Sequence, residues 1–324
     1  MIKSNLLDDF LDYMKSTKGS SDTTIREYYY DIRLFLRYLK VRRGLCDDSD
    51  FDNIIIEDID AELLSTVKKQ DIYAFNGYLE KIRKVSNRSK HRKISSIRAF
   101  FKYLSTKIDV IEYNPLENID MPKLNKTLPQ YLDLNEAIAL LETIDNSNKS
   151  EPYKSRDYCI VTLFLNCGMR LSELSGINLE HISKDKTLRV LGKGNKERTI
   201  YLNKASLKAL EDYLKVRPDV ETDALFLSIR KNRMSNRAIQ HMIEKYIIET
   251  GLDPKKYTVH KLRHTAATFM YQYGNADIRS LQEILGHESI TTTQIYTHVR
   301  DEQLKNTVDN NPLAELDKDE NKKR

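Results

Sequence analysis

The sequence predicts a mostly α protein of two domains, the second carrying one small β-hairpin. Three observations carry that reading. Apolar residues recur at helical spacing in one stretch after another from residue 4 onward. Glycine and proline, the residues that interrupt helices, number only 10 and 7 in 324 residues. A single turn, Gly192-Lys193-Gly194-Asn195, is flanked by apolar residues that alternate instead of following a helical period.

The first helix spans residues 4–17, with Leu6, Leu7, Phe10, Leu11 and Met14 on one face. A second is capped by Ser21 or Asp22 and stops at Gly44, and Ile25, Tyr28, Tyr29, Ile32, Phe35, Leu36 and Leu39 form its apolar stripe. The tyrosine run could stack on bases, but at this spacing it reads as core packing. The acidic loop CDDSDFDN leads to a third helix near 66–84. The fourth, about 87–106, buries Ile94, Ile97, Phe100, Phe101 and Leu104. The rest of its surface holds Arg88, Lys90, His91, Arg92, Lys93, Arg98 and Lys102, with no acid within the same fifteen residues. A charged helix face is ordinarily a solvated one. The density here points instead to a DNA backbone, through Arg88, Lys90, Arg92, Lys93 and Arg98.

Residues 114–130 carry three prolines and no helical stripe, and read as an extended linker. They separate a first domain, 1–113, from a second, 131–311, which is followed by a solvated tail at 312–324. The second domain opens on LDLNEAIALLETID, where Asp133 and Glu136 match a capping box. A buried helix over 154–167 ends at Gly168, and MRLSELSGI then sets Arg170 and Glu173 one turn apart at the start of another. That pair is either a surface ion pair of small worth or an arginine projecting into a cleft. The hairpin follows, with Lys193 at its tip. Helices are expected at 203–217 and 235–250, with a strand at ALFLS between them, and a last helix near 300–308.

The formal charge is +5, from 53 Lys+Arg against 48 Asp+Glu. So mild an excess points to a polyanionic partner only where basic residues cluster. Cys46, Cys159 and Cys167 form no CxxC pair, and the latter two lie in the apolar run YCIVTLFLNC, so they read as reduced core residues of a cytosolic protein. That run is far too short to span a bilayer, and the N-terminus carries acids where a signal peptide needs an apolar core.

Thr258–Val299 holds the chemistry. Thr258 is placed to cap a helix striped by Leu262, Ala266, Phe269 and Met270, on which His260 and Arg263 emerge one turn apart. His264, His287 and Tyr296 follow. His260 and His264 have the i, i+4 spacing of zinc hydrolases, but Lys261 stands where their general base would be, and Arg263 lies between the would-be ligands. No metal is therefore expected. Arginines hold phosphate oxygens bidentately, and a tyrosine becomes a nucleophile where cations favour the phenolate or a base takes its proton. These residue types suit phosphoryl transfer without a cofactor.

GMRLSEL, GKGNKERTIYL, HKLRHTAATFM, ILGHESITTTQIYTHV and RKISSIRAFFKYL…NPLENIDMPK together resemble the tyrosine recombinase (phage integrase) family, nearest its Xer-type site-specific recombinases. The resemblance covers residues from about 4 to about 309. It implies a SAM-like N-terminal domain of four helices and a mainly helical catalytic domain, closing on double-stranded DNA as a C-shaped clamp. It implies that Arg170 and Arg263 clamp the scissile phosphate, that Lys193 protonates the leaving 5′-oxygen, and that His260 serves proton transfer. His287 would hydrogen-bond the phosphate, Tyr296 would attack it, and Glu173 would support Arg170. His264 matches a family position and reads as structural. A homo-tetramer, or a hetero-tetramer with a related recombinase, would exchange strands at a recombination site through a Holliday junction, without ATP, cofactor or membrane. A chromosomal Xer role is the implied one, and no arm-binding domain is expected before residue 4.

Three rivals remain at this point. A type IB topoisomerase shares the chemistry but works without partners, a DNA-binding regulator would carry the same residues unused, and a metal-dependent hydrolase would fail under chelation.

Overall fold

The computed structural model describes residues 6–123, 130–183, 185–192, 197–274, 276–287, 289–294 and 296. Lys193, the helix expected near 300–308 and the tail at 312–324 lie outside the described residues. The chain forms two compact units, Met1–Lys126 and Thr127–Arg324.

The first unit is built from α1 (Leu6–Ser16), α2 (Asp22–Arg42), α3 (Ala61–Ser65), α4 (Lys69–Lys81) and α5 (Asn87–Thr106). Serines start two of them: Ser21 Oγ accepts the Thr24 N–H, and Ser86 Oγ accepts that of Ser89, each at 3.3 Å. The helix expected near 66–84 forms as α4, and the short α3 precedes it where no helix was expected. Asp60 caps α3 at Leu63 N (2.9 Å), and Asp71 then accepts the Lys68 N–H (2.9 Å) to begin α4. The N-caps at Asp60 and Lys68 specify two helix starts, and buried Val67 sits in the break between the helices. Phe10, Phe35, Phe75, Phe100 and Phe101 are almost wholly buried and meet edge to face, as in the Phe35–Phe75 pair at 5.2 Å. Tyr28 packs against Phe10, whereas Tyr30 is exposed and carries the Arg33 guanidinium over its ring. Leu116 and Ile119 join the same core, and Arg98 Nη2 donates to the Ile119 carbonyl (2.7 Å).

The second unit contains α6 (Leu134–Asp145), α7 (Glu151–Cys167), α8 (Leu171–Ser175), β1 (Thr187–Leu191), β2 (Glu197–Tyr201), α9 (Lys204–Val216), α10 (Asn236–Glu249), α11 (Val259–Gln272) and α12 (Ile278–Leu285). The Asp133–Glu136 capping box forms as expected, with bonds of 2.9 and 2.8 Å. Residues 159–165 of α7 are buried on every face, which makes it the central helix, packed by α6, α9 and α11. It begins three residues before the expected position, with Ser150 at the N-cap and Pro152 in its first turn, where a missing N–H costs nothing. Burial pushes the Cys167 thiol up to about 11 and raises that of Cys159 further.

β1 and β2 pair antiparallel, from Thr187 opposite Tyr201 to Leu191 opposite Glu197. Ile200 of β2 faces the core with Arg198 on the same side, while Glu197, Thr199 and Tyr201 face out. The strand expected at ALFLS does not form. Ala224 and Leu227 make only isolated bridges, because Arg217 and Tyr213 take up the carbonyls of Ala224 and Leu225 that a ladder would need. Among the described residues no helix is long and apolar enough to cross a membrane.

Candidate active site

Two helix ends build the site. α7 stops at Gly168 (φ 58°) and α12 at Gly286 (φ 62°), both left-handed, where a side chain would be strained. The last carbonyls of a helix have no partner within it, and they carry the negative end of its dipole. Here guanidinium groups cap them. Arg263, on α11, donates from Nη1 to the Gly168 carbonyl (2.5 Å) and from Nη2 to that of Leu285 (2.6 Å), so it bridges both ends. Arg170 Nη2 donates to the Gly286 carbonyl. Arg198 Nη1 donates to that of Ile284. Three successive carbonyls thus hold three arginines.

Glu173 binds two of them. It is buried at 2% exposure and accepts Arg170 N (2.7 Å) and Nη1 (2.7 Å), then Arg198 Nε (3.1 Å) and Nη2 (2.7 Å). Burial opposes its charge, but the Arg198 and Arg170 donors outweigh that and hold the carboxyl below the usual carboxylate range. Of the two readings of the Arg170–Glu173 spacing, the surface pair is therefore the wrong one.

His287 follows Gly286 directly, its Nδ1 2.9 Å from Thr293 Oγ1. Burial, then Arg263 and Arg170, push it down to about 4, so it is neutral near pH 7. Tyr296 is 1% exposed and packs among Ala267, Tyr271, Leu281 and Leu285. Its hydroxyl lies 2.6 Å from His264 Nδ1. His264 is also pushed down to about 4, by burial and then by Lys261, His260 and Arg263. A buried O–H needs an acceptor, and a neutral imidazole supplies one. Burial pushes Tyr296 up to about 12 against the opposing pull of Arg263. Neighbouring cations were expected to favour the phenolate; burial outweighs them here.

Arg170, Arg263, His287 and Tyr296 are thus brought together, with Glu173 beneath Arg170. His260 is exposed, one turn before His264 on α11. Lys193 lies outside the described residues. Arg198 escapes the sequence reading, its signal being its inward register with Ile200, while His264, read as structural, meets the Tyr296 hydroxyl from 32 residues away. Among the described residues no three His, Cys, Asp or Glu side chains gather to hold a metal.

The basic helix α5 is more occupied than its sequence suggests. Lys90 is buried with its ammonium on Glu80 (2.8 Å), and Lys93 is on buried Asp31 (2.8 Å). Arg92 pairs with Glu27 and Asp31 while remaining half exposed, and Arg98 is tied to the Ile119 carbonyl. Cations in the first turn oppose the helix dipole, and acids from α2 and α4 offset them. Arg88 and Lys102 are exposed.

A helical unit followed by a second in which arginines, imidazoles and a buried tyrosine converge defines a class of phosphoryl-transfer protein. Residues 130–303 match the phage integrase family, and residues 7–107 match the phage integrase N-terminal SAM-like domain. The chain belongs to the phage integrase family, that of the tyrosine recombinases. It is 49% identical over 314 residues to the tyrosine recombinase XerC of Caldanaerobacter subterraneus subsp. tengcongensis, covering 96% of this chain and 87% of that one. It is 35% identical over 301 residues to the tyrosine recombinase XerC of Leptospira interrogans, covering 91% and 89%. In fold it is similar to the XerH site-specific recombinase bound to a palindromic difH substrate, with a TM-score of 0.68 at 22% identity over 94% of this chain and 84% of that one. It is also similar to a lambda integrase tetramer bound to a Holliday junction, with a TM-score of 0.62 at 19% identity, covering 88% and 77%.

Proposed function

We propose that this chain is an Xer-type site-specific recombinase that cuts and rejoins double-stranded DNA through a 3′-phosphotyrosyl intermediate. The observation that carries the reading is the convergence of Arg170 and Arg263 on the adjacent carbonyls of Gly286 and Leu285, beside His287 and a buried tyrosine. Arg170 and Arg263 clamp the non-bridging oxygens of the scissile phosphate, where charge develops in the transition state. Tyr296 Oη forms the new bond to phosphorus as the P–O5′ bond breaks. His260 serves the phenol proton, Lys193 delivers one to the departing 5′-oxygen, and His287 donates a hydrogen bond to the phosphate. The phosphotyrosyl bond conserves the free energy of the phosphodiester, so rejoining needs no ATP.

Residues 1–113 form the core DNA-binding domain, 114–130 the linker and 131–311 the catalytic domain. Within α5, Arg88 and Arg92 are the predicted residues best placed to meet phosphates, since Lys90, Lys93 and Arg98 are tied inside their unit. The protein works in the cytoplasm as a homo-tetramer, or as a hetero-tetramer with a related recombinase. It passes through a Holliday junction and resolves chromosome or plasmid dimers.

Covalent capture tests this. The protein is mixed in excess EDTA with fragments of its source genome, denatured in SDS, and the attached DNA is sequenced. DNA should be retained by the unmutated chain and lost with Tyr296→Phe. Attachment by Tyr296→Phe, or attachment only when metal is restored, would overturn the proposal.

A further inference from the structure

Arg198 has no role in the chemistry derived above, yet it is among the most constrained side chains of the site. It stands on β2 opposite Val190, on the inward face shared with Ile200, and its side chain is only 13% exposed. All three guanidinium nitrogens are engaged: Nε and Nη2 on the two oxygens of Glu173, and Nη1 on the Ile284 carbonyl. Each nitrogen thus has a protein partner, and little of the side chain is open to a substrate. Arg170, by contrast, keeps 30% of its side chain open. Gly286 leaves room for this packing, because a Cβ there would lie 3.0 Å from Arg198 Cδ and 3.4 Å from Arg170 Nη1.

We infer that Arg198 is a positioning residue, which acts through Glu173 to fix the Arg170 guanidinium and to keep its charge available to a phosphate. With Arg170 alone, a buried Glu173 would form a one-to-one pair and cancel the cation meant for the substrate. A second guanidinium on the same carboxylate leaves the triad of Arg170, Glu173 and Arg198 with a net positive charge. The geometry is bidentate, and a lysine cannot reproduce it. By binding Ile284 as well, Arg198 ties β2, which follows Lys193 in the chain, to the α12 end that Arg170 and Arg263 also grip.

The inference rests on the recombinase reading, and two readouts on the full chain separate the two. The first is single-turnover covalent attachment to a duplex carrying a sequence captured by the unmutated protein, with duplex affinity measured alongside. Arg198→Ala should slow attachment about 100-fold, as expected when a reacting group is displaced by roughly an ångström, and change affinity less than about threefold. Guanidinium ion added to Arg198→Ala should restore part of the rate, which recovery of a merely misfolded protein would not do. Arg198→Lys should fall between. The second readout needs no DNA: in protein labelled with 15N-arginine, the Arg170 side-chain N–H signals, assigned with Arg170→Lys, should be protected from exchange and lose that protection in Arg198→Ala. If the unmutated chain attaches no DNA, the recombinase reading falls and the labelled signals still decide Arg198. An attachment rate for Arg198→Ala within about twofold of the unmutated chain, or unchanged Arg170 protection, would overturn the inference.

Discussion

The contact between His264 and Tyr296 can be tested without DNA. Each group is the other's partner in a buried setting, so removing either strands the other. His264→Leu leaves the phenol O–H without its acceptor, at a cost of about 1–3 kcal/mol. For a unit of this size, about 2 kcal/mol lowers the melting temperature by roughly 4–8 °C. Tyr296→Phe should cost less, because His264 is only partly buried. The double variant should lose less than the sum, by about 1–2 kcal/mol. The chain has no tryptophan, so calorimetry is the suitable assay. Additive losses would refute the hydrogen bond.

The same contact sets a pH window. His264 and His287 are pushed from 6.5 down to about 4 in the folded chain. A depressed folded value means that the unfolded chain takes up the proton first as pH falls. The stability they contribute is therefore complete above pH 6.5 and lost as pH drops through about 4. Each shift has a ceiling of about 3 kcal/mol, reduced because both rings keep some solvent contact. Glu173 and Asp71 are held below the usual carboxylate range, so their loss comes at lower pH. Melting temperature should fall between pH 6.5 and 4.5, and less steeply in His264→Leu. A flat profile, or one unchanged by the substitution, would show that the imidazoles are not held neutral.

Other outcomes follow from single contacts. Gly286→Ala places a methyl 3.0 Å from Arg198 Cδ at a φ of +62°, and should cut covalent attachment at least about tenfold with a loss of about 1 kcal/mol in stability, read by calorimetry. Asp31→Ala removes a fully buried carboxylate that holds Arg92, Lys93 and Ser96, and should destabilise the first unit by about 3–5 kcal/mol in urea unfolding followed by circular dichroism. A thiol reagent should label Cys46 alone in the native protein and all three cysteines after denaturation, since Cys159 and Cys167 are buried with raised thiols.

What the sequence made legible is what is local. The caps at Ser21 and Asp133, the helical stripes, and the spacing of Arg170 with Glu173 all lie within one or two turns, where period and propensity decide. Where distant groups decide, a motif is silent. Lys93 meets Asp31 from 62 residues away, so a count of acids along α5 alone mistook inward cations for a free surface. The ALFLS segment has strand composition, but Arg217 and Tyr213 claim its carbonyls. Arg198 was readable in principle, because strand alternation puts it on the side of Ile200, yet nothing in the period says that Glu173 waits there.

The electrostatics of the second unit turn on that carboxylate. Arg170, Arg198 and Arg263 bring three positive charges to the end of α12, and Glu173 returns one negative charge. The remaining excess is held by carbonyl dipoles, which solvate a cation without neutralising it. Burial and then Arg170 push Arg263 down to about 10, and His287 and His264 are kept neutral. Burial is the largest cause of each shift, and the crowded cations add to it. A phosphate between Arg170 and Arg263 would offset the part of these shifts that comes from the arginines and leave the part that comes from burial.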